Sequence, residues 1–220
     1  VFSSTTRETV RRHFRWMRKH AIDGAFLQRF SVEGSGGANG QEEWVLERVR
    51  EAAHREGRIW AIEYDVTWVG DDKALEVLKT DWKWLVDVFG IQSDPRYARE
   101  GGRPVVAIWG LPFPHVGISQ ATADAVVGFF HDDPVYGGNY VLGGIPYWWQ
   151  TMDEWFDHIR RYDGVLAWHP QDSAAYRSDF ELLRTWGIDY YPLVWPGFSW
   201  ANEMRISDNS DFVPRERGAF

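Results

Sequence analysis

The chain has 220 residues, 44% of them hydrophobic and 25% charged, with a net charge of −8. That length fits a single domain, since α/β barrels run to roughly 250 residues, and the composition excludes a disordered chain, a coiled coil and a collagen-like polymer. The acidic balance argues against a nucleic-acid backbone or an anionic membrane as partner. No apolar run approaches the ~20 residues of a membrane-spanning helix. Without cysteine there is no disulfide, no thiolate zinc site and no cysteine nucleophile. Against this ordinary background stand 14 Trp, 9 Tyr and 13 Phe. So many indoles imply either a very aromatic core or a site that stacks flat ligands such as sugar rings.

Thr5 and Glu8 have capping-box spacing, and Val10, Phe14 and Met17 follow on one helical face. Ala25 to Phe30 is an apolar run of strand length, and residues 34–40 form a Gly-rich loop. Trp44, Val45, Val49, Ala52 and Ala53 pattern a second helix, stopped by Gly57. Arg58 to Tyr64 is the next strand. A helix carried by Leu75, Leu78, Trp82, Leu85 and Phe89 follows and stops at Gly90. Pro104 to Gly110 is the strongest buried-strand signal. A weaker helix covers Thr122 to Phe130, and Asn139 to Gly144 is a fourth strand. Thr151 and Glu154 form a second capping box, predicting a helix through Arg161. Gly164 to Trp168 is a fifth strand, Asp172 or Ser173 to Trp186 a helix, and Tyr190 to Trp195 a sixth strand.

Near-continuous apolar strands alternating with amphipathic helices predict a parallel sheet covered by helices. Ile22-Asp23-Gly24, Tyr162-Asp163-Gly164 and Gly187-Ile188-Asp189 echo one another at helix-to-strand joints. No strand is followed by a dinucleotide or phosphate-binding glycine motif. The fold class is α/β: a (β/α)₈ TIM barrel, incomplete, with about six of eight βα units in one domain over residues 1–220.

In such a barrel the residues at the C-terminal strand ends face the site. These are Gln28 and Arg29; Glu63, Tyr64, Asp65 and Trp68; Trp109 and His115; Tyr147, Trp148 and Trp149; Trp168, His169 and Asp172; and Trp195, Phe198, Trp200, Asn202 and Glu203. Carboxylates and indoles dominate. Indole faces stack on the C–H face of a pyranose, and carboxylates do acid/base work on glycosidic bonds. Each has a plainer reading: Glu63 and Asp65 as rim charges, His169 as a structural histidine, Trp60 and Trp109 as core. None of the seven histidines gives a His-x-His strand end, so neither metal nor cofactor is expected.

Residues 1–30, Ala61 to Asp65, Arg103 to Gly110 and Tyr191 to Trp200 together resemble glycoside hydrolase family 99. That group includes endo-α-mannosidases, endo-α-mannanases and bacterial xylosidase/arabinosidase-like relatives. The resemblance implies a (β/α)₈ barrel performing metal-free, retaining hydrolysis of α-mannoside-like glycans. It places Glu63 near the bound sugar as the catalytic candidate. The hydroxyl-binding candidates are Gln28, Arg29, Tyr64, Asp65, His169 and Asn202, and the ring-stacking ones are Trp109, Trp168, Trp195 and Trp200. The family's Glu-x-x-Glu-Gly pair is not matched here; Glu203 and Glu216 lack its pattern. That pair is expected beyond Phe220 and the family's first strand before Val1, so the chain by itself is expected to lack hydrolase activity. Exposed strand edges would favour association. The expected partner is an oligosaccharide or polysaccharide, not nucleic acid or membrane. Two further readings are a non-catalytic carbohydrate-binding protein and a metal-dependent hydrolase barrel.

Overall fold

The computed structural model describes residues 3–30, 41–67, 69–168, 173–194, 198–199 and 212–213. Helix α1 (Arg7–Lys19) leads into strand β1 (Gly24–Phe30), followed by α2 (Gln41–Glu56), β2 (Ile59–Asp65) and α3 (Ala74–Asp87). Next come β3 (Arg99–Glu100), β4 (Arg103–Trp109), α4 (Gln120–Asp132) and β5 (Tyr140–Pro146). The series continues through α5 (Phe156–Ile159), β6 (Gly164–Trp168), α6 (Ser173–Trp186) and β7 (Asp189–Tyr190). Strands β8 (Phe198–Ser199) and β9 (Phe212–Val213) pair antiparallel with each other.

The main sheet runs β1-β2-β4-β5-β6-β7 with every neighbour parallel. Strand β3 folds back antiparallel on β4. Its turn is Gly101-Gly102, both at positive φ (55° and 83°), which a two-residue hairpin requires. The six parallel strands lie in chain order, and right-handed crossovers then put every connecting helix on the same face. This is the winding of a (β/α)₈ barrel, of which the described residues form an arc. The other face of the sheet is the inner one.

Four local expectations change. Helix α1 starts after Thr6, whose side chain makes no capping bond, because the Thr5 hydroxyl is engaged with Ser3 at 2.7 Å. The second capping box does not open a long helix. Trp149 is driven fully into the core and Thr151 donates its hydroxyl back to the Trp148 carbonyl at 2.8 Å. The segment folds as two 3₁₀ turns before the four residues of α5. The sixth parallel strand is two residues long. After the bond from Tyr191 N to Val165 O (2.9 Å), Pro192 has no N–H with which to continue the ladder. The antiparallel strand β3 is an addition that the apolar pattern does not show.

The helix-side layer is fastened by buried aspartates. Arg29 on β1 donates to Asp81 of α3 through Nε (3.0 Å) and a terminal nitrogen (2.5 Å). Tyr64 on β2 donates its hydroxyl to the same carboxylate at 2.8 Å. Arg29, Tyr64 and Asp81 are 2%, 0% and 2% exposed. Asp179 of α6 plays the same part for Trp149 (2.9 Å), Gln150 (2.7 Å) and Tyr190 (3.1 Å).

Removing one partner of a buried ion pair leaves an uncompensated charge and costs about 3–5 kcal/mol. Arg29→Ala is expected to lower the unfolding free energy by that amount in urea titration. Gln28→Ala, one residue away on the exposed inner face, is expected to cost less, about 1–2 kcal/mol, for the hydrogen bond it donates to Asp65. Equal losses at the two positions would contradict the assignment of faces.

Candidate functional site on the inner face of the sheet

Side chains alternate between the two faces along each strand. Because Arg29 and Tyr64 point to the helices, Gln28, Glu63 and Asp65 point inward. Register then lays one inner row as Gln28, Glu63, Ala107, Leu142, Gly164 and Asp189, and the row above it as Phe30, Asp65, Trp109, Gly144 and Leu166. Pro146 and Trp168 lie beyond, at the C-terminal rim.

The two carboxyls in these rows behave differently. Asp65 is 6% exposed and saturated with donors. Gln28 Nε2 reaches one oxygen at 2.9 Å. The Thr67 amide reaches the other at 3.0 Å, where the Thr67 hydroxyl also bonds. Glu63 is half-buried and has neither a hydrogen bond nor an ion pair among the described residues. Burial, and then the charge of Asp65, push its carboxyl from the ordinary 4.5 up to about 7. A carboxyl so perturbed, facing inward with no partner among the described residues, is a candidate functional group.

Beside the carboxyls stands an aromatic rim. The Trp109 ring lies 4.1 Å from Phe113 and 4.4 Å from Trp168, centroid to centroid. Phe113 also meets Trp148 edge-on at 6.4 Å. Gly144 makes room for this cluster, since a Cβ there would stand 2.5 Å from the Trp109 ring. Trp109 is therefore held between other rings, whereas Trp148 and Trp168 are 40% and 41% exposed and present surface to the rim. Lower down, the Tyr140 hydroxyl donates to Asp189 at 2.8 Å and meets the Tyr191 hydroxyl at 3.2 Å. A cavity of about 340 Å³ opens at this N-terminal end, lined by apolar residues such as Phe26, Ile59 and Ala61 and away from Glu63.

The structure thus brings Gln28, Glu63, Asp65, Trp109 and Trp168 to one face. It does not bring Arg29 and Tyr64 there. Both are buried on the helix side against Asp81, where a sugar in the barrel mouth would not reach them. The signal for this was in α3. Leu78, Asp81, Trp82 and Leu85 share one helical stripe, and an acid inside an apolar stripe demands a buried donor. Trp148 lies at the rim, where its place after the fourth strand put it, and Thr67 joins the site beyond the residues singled out from the sequence. Trp60 and Trp149 belong to the core on the helix side. His169, Trp195, Trp200, Asn202, Glu203, Glu216, Trp68 and Asp172 lie outside the described residues, and His115 is exposed in the loop after β4. Among the described residues, no three His, Asp or Glu side chains converge as a metal-ligand group.

The strand order and the helices on one face define a partial (β/α)₈ barrel. The chain is similar in structure to a GH99 endo-alpha-mannosidase of Bacteroides thetaiotaomicron, solved in complex with bis-tris-propane, with a TM-score of 0.71 and 17% identity over 97% of this chain and 64% of that one. A second structure of the GH99 endo-alpha-mannosidase from Bacteroides thetaiotaomicron gives 0.64 and 16%, covering 91% and 57%. A glycoside hydrolase-like protein gives 0.72 and 14%, covering 98% and 70%. The chain therefore spans less than two thirds of the two mannosidase chains, and the likeness is one of fold. No family model and no curated protein matches it.

Two outcomes check the site. An acid whose folded pKa is raised favours the folded state fully below its unfolded value and loses that contribution as pH rises through the folded one. Wild type is therefore expected to match Glu63→Gln in melting temperature below pH 4.5, to fall progressively below it as pH rises from 4.5 to about 7, and to keep a constant deficit above that. A constant difference across that window would count against the unpaired carboxyl. Separately, Gly144→Ala is expected to displace the Trp109 ring, cost about 1–3 kcal/mol by overpacking and change tryptophan emission. An unaltered spectrum and stability would show that the indole does not rest on Gly144.

Proposed function

We propose that the inner face is a glycan-binding site of a retaining, family-99-type glycoside hydrolase acting on α-mannoside-like linkages. The observation that carries this reading is Glu63: an unpartnered, half-buried carboxyl beside an aromatic rim. With its pKa near 7, Glu63 exists in both protonation states at neutral pH. It can donate a proton to a sugar oxygen in one state and accept a hydroxyl hydrogen bond in the other. Asp65, held by Gln28 and Thr67, keeps its charge in place and raises the proton affinity of Glu63. Trp168 and Trp148 offer apolar surface to the C–H faces of sugar rings. The structural neighbours include endo-alpha-mannosidases, which favours mannosides among the possible glycans.

A second reading, carbohydrate binding without hydrolysis, draws support from the fixing of Asp65, which leaves Glu63 as the unpartnered carboxyl of the pair. Calorimetry with α-mannan oligosaccharides distinguishes these readings. Glu63→Ala is expected to weaken binding by about tenfold or more, the scale of a hydrogen bond to a charged group. The wild-type affinity is expected to change with a midpoint near pH 7, and Glu63→Gln to flatten that profile. Loss on Trp168→Ala with no effect of Glu63→Ala favours stacking alone. No binding of these oligosaccharides by the wild type overturns the mannoside assignment.

A further inference from the structure

Helix α1 carries six cations, Arg7, Arg11, Arg12, Arg15, Arg18 and Lys19, against one acid, Glu8, in a chain whose net charge is −8. Three of the six serve the packing of α1 on α2. Arg7 pairs with Glu51 at 2.7 Å, while Arg11 and Arg18 pair with the buried Glu56 at 3.5 and 3.3 Å. Arg12, Arg15 and Lys19 have no such partner among the described residues. They flank Trp16, which is 51% exposed and stacks at 5.6 Å on His13. Positions 12, 15, 16 and 19 form one stripe on the solvent face of the helix.

The arrangement is unfavourable for the isolated fold. The helical neighbours of Arg15 three and four residues away are Arg11, Arg12, Arg18 and Lys19. Every one is a cation, and each like-charge pair at that spacing costs about 0.2–0.5 kcal/mol. Lys19 gains from the C-terminal end of the helix dipole, but Arg12 and Arg15 lie too far from it. An exposed indole adds nothing to folding either. Both features become favourable when a ligand supplies anionic charge and a flat apolar face together.

We propose that this stripe docks an acidic polysaccharide, with Trp16 stacked on a sugar ring and Arg12, Arg15 and Lys19 bound to carboxylate or sulfate groups along the chain. The choice of a glycan as the polyanion rests on the function proposed for the inner face; the anion site itself stands on α1 alone. Charge complementarity selects the class of partner. From Arg12 to Lys19 the helix rises about 10 Å, which matches a polymer carrying roughly one charge per sugar better than duplex DNA, with a charge every ~1.7 Å. A membrane surface would need the apolar face of the helix. Here Val10 and Phe14 are buried and Met17 is packed against the core. The helix lies outside the barrel, so the stripe is a second glycan contact separate from Glu63.

The test is binding of the 220-residue chain at low salt to polygalacturonate, to neutral dextran, to phosphatidylglycerol-containing vesicles and to duplex DNA. Polygalacturonate is expected to bind tightest. The triple variant Arg12→Gln/Arg15→Gln/Lys19→Gln is expected to weaken it at least about tenfold and to lower the slope of log affinity against log salt by about 2. Trp16→Ala is expected to weaken it about three- to tenfold. Removing like charges is expected to hold or raise the melting temperature, which separates lost binding from lost folding. Glu63→Gln is expected to leave this binding unchanged, so failure at the inner face and failure at α1 are read apart. The proposal is overturned if dextran binds as well as polygalacturonate, if the folded triple variant binds like wild type, or if vesicles or DNA bind more tightly.

Discussion

Asp81 grips Arg29 and Tyr64 from the helix side, and the side-chain period of two carries the consequence through the sheet. With those two residues fixed outward, Gln28, Glu63 and Asp65 must face inward. Register extends the same parity to Trp109, Gly144 and Trp168. A slip of one residue in β1 or β2 would bring a buried cation into the barrel mouth and send the site's carboxyls into the helix layer. The anchor and the site are thus two faces of one alternation. The buried pair is costly to desolvate and gives little net stability against an apolar substitute. What it specifies is which face each side chain takes.

The inner face is polar in a selective way. Around Asp65 three donors from Gln28 and Thr67 hold the carboxyl in place. Glu63, two residues earlier on the same strand, is left without a donor, and burial works against its ionisation. Burial and the neighbouring Asp65 charge raise the proton affinity of Glu63, which suits it to exchange protons near neutral pH. The aromatic rim adds apolar surface beside these groups.

The order and boundaries of most strands were legible in the sequence. Parallel strands covered on both faces run apolar for five to seven residues, and Gly or Pro brackets them. The same continuity hid the parity of β1 and β2. Where both faces are apolar, no alternation shows which side chains point inward, so Arg29 and Tyr64 read as equal to Gln28 and Glu63. Glu63 stands out from the sequence together with Asp65, the two acids of an otherwise apolar strand. The failures elsewhere share a cause. Thr151 and Glu154 had helix-capping spacing, but burial of Trp149 and its bond to Asp179 override local preference. Pro192 was overlooked as the end of β7. In each case a long-range contact or a missing donor outweighed the local pattern.

Glu63 faces inward, half-buried and without a partner among the described residues. This placement is tested most directly by a carbon-13 NMR titration of side-chain carboxyls, with Glu63→Gln used to assign the resonance. The expected result is a Glu63 midpoint at about 7, displaced downward in Asp65→Asn as the neighbouring charge is removed. A midpoint in the ordinary glutamate range near 4.5, insensitive to Asp65, would contradict the claim and place this side chain in solvent or against an unrecognised donor.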